Sequence, residues 1–243
     1  MRGFSRNQGF TLIELIIVIV ILGILAVGVT QFIRFAMQIY SEGNQRSGLV
    51  AQSRFVILRL EKELRNSVPN SIAVDGTNGC LSFYPIKSSG SYLGEIDQAP
   101  LPVVDFDGSA VENVDKIVIF PTSVNDIENN ALTITDIDDQ GNNDNIYDWQ
   151  LSAQPQRSSP GKRFYVIGPQ VELCAEVVDG RASLVRKQNA ATNLLAVGVS
   201  DWQPRYEPGT LERNALVTLD LTFSSEQGEQ LRLTHEVHIP NVP

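Results

Sequence analysis

The chain has 243 residues, 42% of them hydrophobic, a formal charge of −9 at neutral pH, two cysteines and two histidines. That length and apolar content allow one folded core besides a separate apolar segment, and the acidic balance argues against nucleic acid as a partner. So few histidines and cysteines leave little material for a thiol catalyst or a soft-metal centre.

The first element is the run GFTLIELIIVIVILGILAVGV, residues 9 to 29, interrupted only by Glu14 and preceded by Arg2 and Arg6. At 1.5 Å rise per residue, about 20 apolar residues cross the ~30 Å hydrocarbon core of a bilayer, which predicts a membrane-spanning helix over about 10–30. The basic flank places the N-terminus in the cytoplasm and the C-terminal bulk on the far side. A cleaved secretory signal has a shorter apolar region followed by a small-residue cleavage site. Glu14 fits such a signal poorly, because a carboxylate in hydrocarbon costs about 2.5–3.5 kcal/mol on insertion scales. The side chain therefore calls for a partner.

Gly9-Phe10-Thr11-Leu12-Ile13-Glu14, with two arginines before it and an apolar helix after it, resembles the class III signal of type IV pilins and type II secretion pseudopilins. The resemblance implies that a prepilin peptidase removes residues 1–9 after Gly9 and that the new amine of Phe10 is methylated. Glu14 becomes the fifth mature residue, the acid this family uses in assembly, and Gly23 falls on the family's helix glycine. Gln31 stands where many members carry a proline. Loss of Arg2 and Arg6, with no acid among residues 1–9, takes the formal charge from −9 to −11. The family further implies a bacterial inner-membrane subunit with a periplasmic domain, passing later into a pilus. Its implied partners are other minor pilins, the principal pilin, the prepilin peptidase, an inner-membrane assembly platform and membrane lipid.

Helix continues past the span. From Thr30 to Asn66 there is no proline, and Leu49, Val56, Leu60 and Leu64 recur at helical spacing among Arg54, Arg59, Glu61, Lys62, Glu63 and Arg65. Gly43 and Gly48 weaken it by about 1 kcal/mol each relative to alanine, and Pro69 stops it. The stretch SRFVILRLEKELRNSVPNS is similar to the helix that precedes the sheet in PilW-like and PulJ-like minor pilins. The expected organisation is a leader over 1–9, a helix over 10–68 and a β-rich globular domain over 69–243.

Beyond Pro69 come short β-type runs separated by turn residues: CLSFYPI, KIVIFP, RFYVIGPQVELCAEVV, RASLVRK, NLLAVGVSDWQP, ALVTLDLTFS and QLRLTHEVHI. Alternation such as Leu219, Leu221 and Phe223 against Asp220, Thr222 and Ser224 predicts antiparallel sheets with one wet face. Residues 88–113 and 122–162, rich in Asn, Asp, Ser, Pro and Gly, are expected to be long polar loops. Cys80 and Cys174 both lie beyond the span, and in an oxidising compartment they are expected to form a disulfide. The fold class is therefore α+β, a long N-terminal helix packed on a mostly antiparallel β domain.

Catalytic patterns are missing. GxSxG, Walker and GxGxxG motifs do not occur, and His235 and His238, three apart on a strand, point to opposite faces and cannot share a metal. Trp149 and Trp202, with Tyr84, Tyr92 and Tyr147, are candidates for a sugar-stacking surface, against the ordinary alternative of core packing. The segment TDIDDQGNNDNIYDW offers Asp136, Asp138 and Asp144 around Gly141 as oxygen ligands for Ca²⁺, but Tyr147 stands where an EF-hand loop needs a bidentate Glu. The expectation is a non-catalytic chain without a resident cofactor, a minor pilin of the tip or priming complex. The alternatives are a type II secretion pseudopilin and a membrane-anchored periplasmic enzyme.

Overall fold

A computed structural model describes residues 10–106, 111–139, 146–210 and 213–240. The first element, α1 (Leu12–Arg65), is a single helix of 54 residues, with Lys62 and Arg65 in its last turn where the helix dipole favours cations. The chain divides into two compact units, Met1–Gly48 and Leu49–Pro243. Among the described residues the first unit is helix throughout, apart from the leading residues Phe10 and Thr11. Its most apolar 18-residue window has a mean hydropathy of 3.1 and none of it is buried. Its length and composition suit a bilayer crossing.

In the second unit Leu49, Ser53, Val56, Leu60 and Leu64 form the buried stripe of α1. The predicted apolar positions are all in it. The stripe shares one core with two antiparallel sheets. The first sheet runs in the order β1 (Ala73–Val74), β2 (Leu81–Phe83), β9 (Val171–Val178), β10 (Arg181–Gln188), β11 (Ala191–Val197). The second is β12 (Val199–Glu207), β13 (Ala215–Ser224), β14 (Gln230–Ile239). Polar groups tie the helix to these sheets as well: the Gln52 amide donates to the Val197 carbonyl at 2.9 Å, and Arg186 pairs with Glu63 at 2.9 Å. The run expected as one strand, NLLAVGVSDWQP, is broken into β11 and β12 at Gly198. Its φ of +75° and a virtual Cβ only 2.5 Å from the Ser224 carbonyl oxygen make glycine necessary there.

Between β2 and its neighbour β9 the chain inserts a closed six-stranded barrel. Its strands are β3 (Ile86–Tyr92), β4 (Leu101–Asp105), β5 (Lys116–Val118), β6 (Leu132–Asp138), β7 (Ile146–Leu151) and β8 (Arg163–Ile167), in the spatial order β3-β4-β7-β6-β5-β8. Much of the segments 88–113 and 122–162, expected to be loops, is therefore strand. The physical reason is clear in β3, whose sequence IKSSGSY reads as a turn. A Cβ on Gly90 would lie 2.1 Å from the Val104 carbonyl oxygen and 2.5 Å from the Phe164 ring, so the strand needs glycine to let its neighbours close in. Ser88 is buried because its hydroxyl donates to Asp105 at 2.6 Å, each polar group satisfying the other. Tyr92, Leu101, Val103, Ile117, Ile134, Trp149, Phe164 and Val166 fill the interior. Trp149 and Phe164 meet edge to face with ring centroids 5.0 Å apart.

A smaller cluster of Val68, Val118, Ile127, Tyr165 and Ile167 packs the outside of the barrel against the residues that follow α1. It holds the short helix α2 (Val124–Asn130), capped by the Ser123 hydroxyl accepting from the Asp126 N–H. Asp126 also accepts from the Thr122 N–H and hydroxyl, the Asn130 amide and the Arg157 guanidinium, at 2.6–3.0 Å, which joins α2 to the segment after β7. Burial pushes this carboxyl up, but the bonds from Thr122 and Asn130 and the Arg157 charge together hold it below its ordinary value of 3.8. Because the folded value is the lower one, the stabilisation is present above pH about 4 and is lost as pH falls through the depressed value. Asp126→Asn is expected to cost about 1–2 kcal/mol at pH 7. Thermal melts should show that difference shrinking as the pH falls below about 4.

The N-terminal helix start as the candidate functional site

Gly9 lies outside the described residues. Phe10 is exposed, Thr11 is the residue before the first helical position, and the helix begins at Leu12. The Thr11 N–H and hydroxyl both donate to Glu14 Oε2, at 3.4 and 3.3 Å, and the Glu14 N–H donates back to the Thr11 hydroxyl at 3.4 Å. This is a reciprocal capping box, with the first helical bond, Leu15 N–H to Thr11 C=O, just inside it at 3.2 Å. A carboxylate in the first turn also meets the positive end of the helix dipole. Glu14 thus has a hydrogen-bonding partner inside its own chain. The Thr-x-x-Glu spacing was the available signal, and Thr11 is the residue it adds. Gly23 meets nothing within 4 Å of a virtual Cβ, so no contact in this chain requires glycine there.

The other candidate residues do not converge. Asp136 and Asp138 sit on β6, opposite Gln150 and Asp148 of β7, and Asp144 lies outside the described residues. Among the described residues no group of three or more His, Cys, Asp or Glu is placed to hold a metal. Trp149 and Tyr92 are barrel core, and Trp202 is in the helix–sheet core with its indole donating to the Gly79 carbonyl at 3.0 Å. The aromatics do not form one stacking surface. His235 faces α1, its Nε2 3.1 Å from Glu61, whereas His238 is exposed on the other face of β14.

Cys80, just before β2, and Cys174, on β9, are joined by a disulfide with an S–S distance of 2.10 Å. The bridge stands at the neck of the barrel insertion, beside the register pair Leu81 and Leu173.

Residues 4–30 match the prokaryotic N-terminal methylation motif, which places a type IV prepilin-like start on this chain. The matched segment contains Gly9, Phe10, Thr11, Glu14 and Gly23. No curated protein and no solved structure matches the chain. The motif implies processing by a prepilin peptidase, assembly with other pilins and membrane anchoring through the apolar helix.

Proposed function

We propose that this chain is a minor pilin of the MshO type, a non-catalytic biogenesis subunit of a mannose-sensitive haemagglutinin pilus, acting in its tip or priming complex. The observation that carries the reading is the methylation motif over residues 4–30 with Glu14 five residues past Gly9. The narrower assignment is supported by a resemblance in the stretches RFVILRLEKELRNSVPNS, CLSFYPI, SSPGKRFYVIGPQVELC and HEVHIPNVP. Size supports a minor role. Subunits packed through identical N-terminal helices leave little lateral room, and here the head carries a whole six-stranded barrel in addition to its sheets. The same start would serve a type II secretion pseudopilin of the PulJ kind. The reading from another class, a membrane-anchored periplasmic enzyme, would need a pocket of convergent ionisable groups.

Intact-mass spectrometry of membranes and of sheared pili tests this reading. The chain should begin at an N-methylated Phe10 and occur far below the principal pilin. A chain beginning at Met1, or cut near Gln31, would overturn the pilin-like reading, and abundance equal to the principal pilin would overturn the minor role.

A further inference from the structure

Among the described residues one buried side-chain donor is left without an acceptor, the indole N–H of Trp149, a residue only 1% exposed inside the barrel. The Phe164 ring meets that indole edge to face and offers at most a weak π acceptor. The other tryptophan, Trp202, is satisfied by the Gly79 carbonyl at 3.0 Å. A donor shut away from water with no acceptor has given up its hydration without return, so an N–H of this kind calls for an acceptor brought to it.

Trp149 also lines a cavity of about 210 Å³ at the mouth of the barrel, between the start of β4 and the end of β7. Ala99, Leu101, Leu151, Ala153 and Pro155 give this cavity apolar walls, and its other polar side chains are the amides of Gln98 and Gln154. No charged side chain lines it among the described residues. Its walls are fixed by hydrogen bonds between segments. Gln154 Nε2 donates to the Asp97 carbonyl at 3.0 Å, and Lys162 Nζ donates to the Gly94 carbonyl at 3.0 Å, which ties residues 93–100 to the chain between β7 and β8. With its nitrogen so engaged, Gln154 presents Oε1 as an acceptor that no donor among the described residues reaches.

We infer that this cavity binds a small uncharged amide, whose carbonyl oxygen accepts from the Trp149 indole and whose N–H donates to Gln154 Oε1. An ion would enter a site without a countercharge, and a purely apolar ligand would leave the indole unpaired. The two polar demands come from different walls, a donor on β7 and an acceptor on the segment after it. A trans amide carries its acceptor and its donor on opposite sides of one flat unit and meets both, while its substituents rest on the apolar walls. The same unit occurs in a free small amide and in a peptide. This site does not rest on the assembly role.

The chain has two tryptophans, so the test can follow each indole separately. Full-length protein with ¹⁵N-labelled indoles, held in detergent micelles, is titrated with N-methylacetamide and with N-acetylalanine N-methylamide, and Trp149→Phe assigns the two N–H signals. The Trp149 signal should move saturably while that of Trp202 stays still. Tighter binding of the blocked alanine points to a peptide as the source, and tighter binding of N-methylacetamide to a free small amide. N,N-dimethylacetamide, which keeps the carbonyl and lacks the N–H, should bind about fivefold more weakly than N-methylacetamide. Ala153→Leu, at an exposed wall position, should narrow the cavity and weaken binding at least about fivefold with the melting midpoint unchanged. A Trp149 signal that no amide moves would show that water alone serves the indole and would overturn the inference. Equal shifts with acetate or glycerol, both indoles moving together, or binding indifferent to Ala153→Leu would overturn it as well.

Discussion

Replacing Cys80 and Cys174 together by alanine is expected to lower the stability of the globular unit by about 2–5 kcal/mol, and its melting midpoint by roughly 5–15 °C. The sulfurs close a loop with a sequence separation of 94, and that loop contains the whole barrel. In the chain-entropy description a loop near 100 residues is worth up to ~4.7 kcal/mol, because the unfolded chain loses the freedom to separate its ends. Alanine is preferred to serine because Cys174 is only 2% exposed, and a hydroxyl there would demand a partner. The loss should be uneven. The barrel has its own core of Trp149, Phe164 and their neighbours, whereas the β2–β9 pairing that the bridge clamps has only three register pairs, Leu81 with Leu173, Ser82 with Glu172 and Phe83 with Val171. Hydrogen exchange should therefore quicken first in β2 and β9 and last in the barrel strands. A midpoint unchanged by the double substitution, or by reductant added to the native protein, would show that the bridge contributes nothing.

Elements whose partners are close in sequence were legible, and those whose partners are distant were not. The stripe of Leu49, Val56, Leu60 and Leu64 could be read because helical periodicity is a local property, and β13 because Leu219, Leu221 and Phe223 recur at every second position, although Asp220, expected on a wet face, is buried with Thr218. The barrel was hidden for two reasons. Its closure pairs β3 with β8 and β4 with β7, contacts that no local pattern specifies. Its strands also carry residues that read as turns: Gly90 is demanded by a crossing backbone, and Asp136 and Asp138 point away from a closed interior. Ser53, buried with its hydroxyl donating to the Val50 carbonyl, shows the same effect in the helix, where a polar residue occupies a core position by satisfying itself locally. At the N-terminal site Gly9, Phe10 and Glu14 were legible as a motif. The cap made by Thr11 is just as local, carried by the Thr-x-x-Glu spacing, but its donors are a backbone N–H and a hydroxyl rather than a charge.

Glu14→Gln and Thr11→Ala are expected to separate the two things Glu14 can do. The capping box uses Glu14 as an acceptor for the Thr11 N–H and hydroxyl, and a glutamine side-chain oxygen accepts those bonds as well. Glu14→Gln therefore keeps the helix start and removes only the charge. Thr11→Ala does the reverse: it removes the hydroxyl and costs about 1 kcal/mol of helix stability, yet leaves the carboxylate free to meet a cation. In a pilin-like assembly the cation on offer is the amine of a neighbouring subunit's first residue, which we propose as the partner of Glu14. Such a pair in low dielectric sets register more than it adds net stability, because desolvation offsets most of the Coulomb gain. Incorporation into pili, scored by immunoblot of sheared filaments from cells lacking the native protein, should then fall at least about tenfold for Glu14→Gln and for Glu14→Val. Thr11→Ala should stay within about twofold of the wild type, and leader removal and membrane insertion should be normal in all three. If Glu14→Gln assembles normally while Thr11→Ala does not, the acid serves the helix start alone and charge pairing between subunits is not its role.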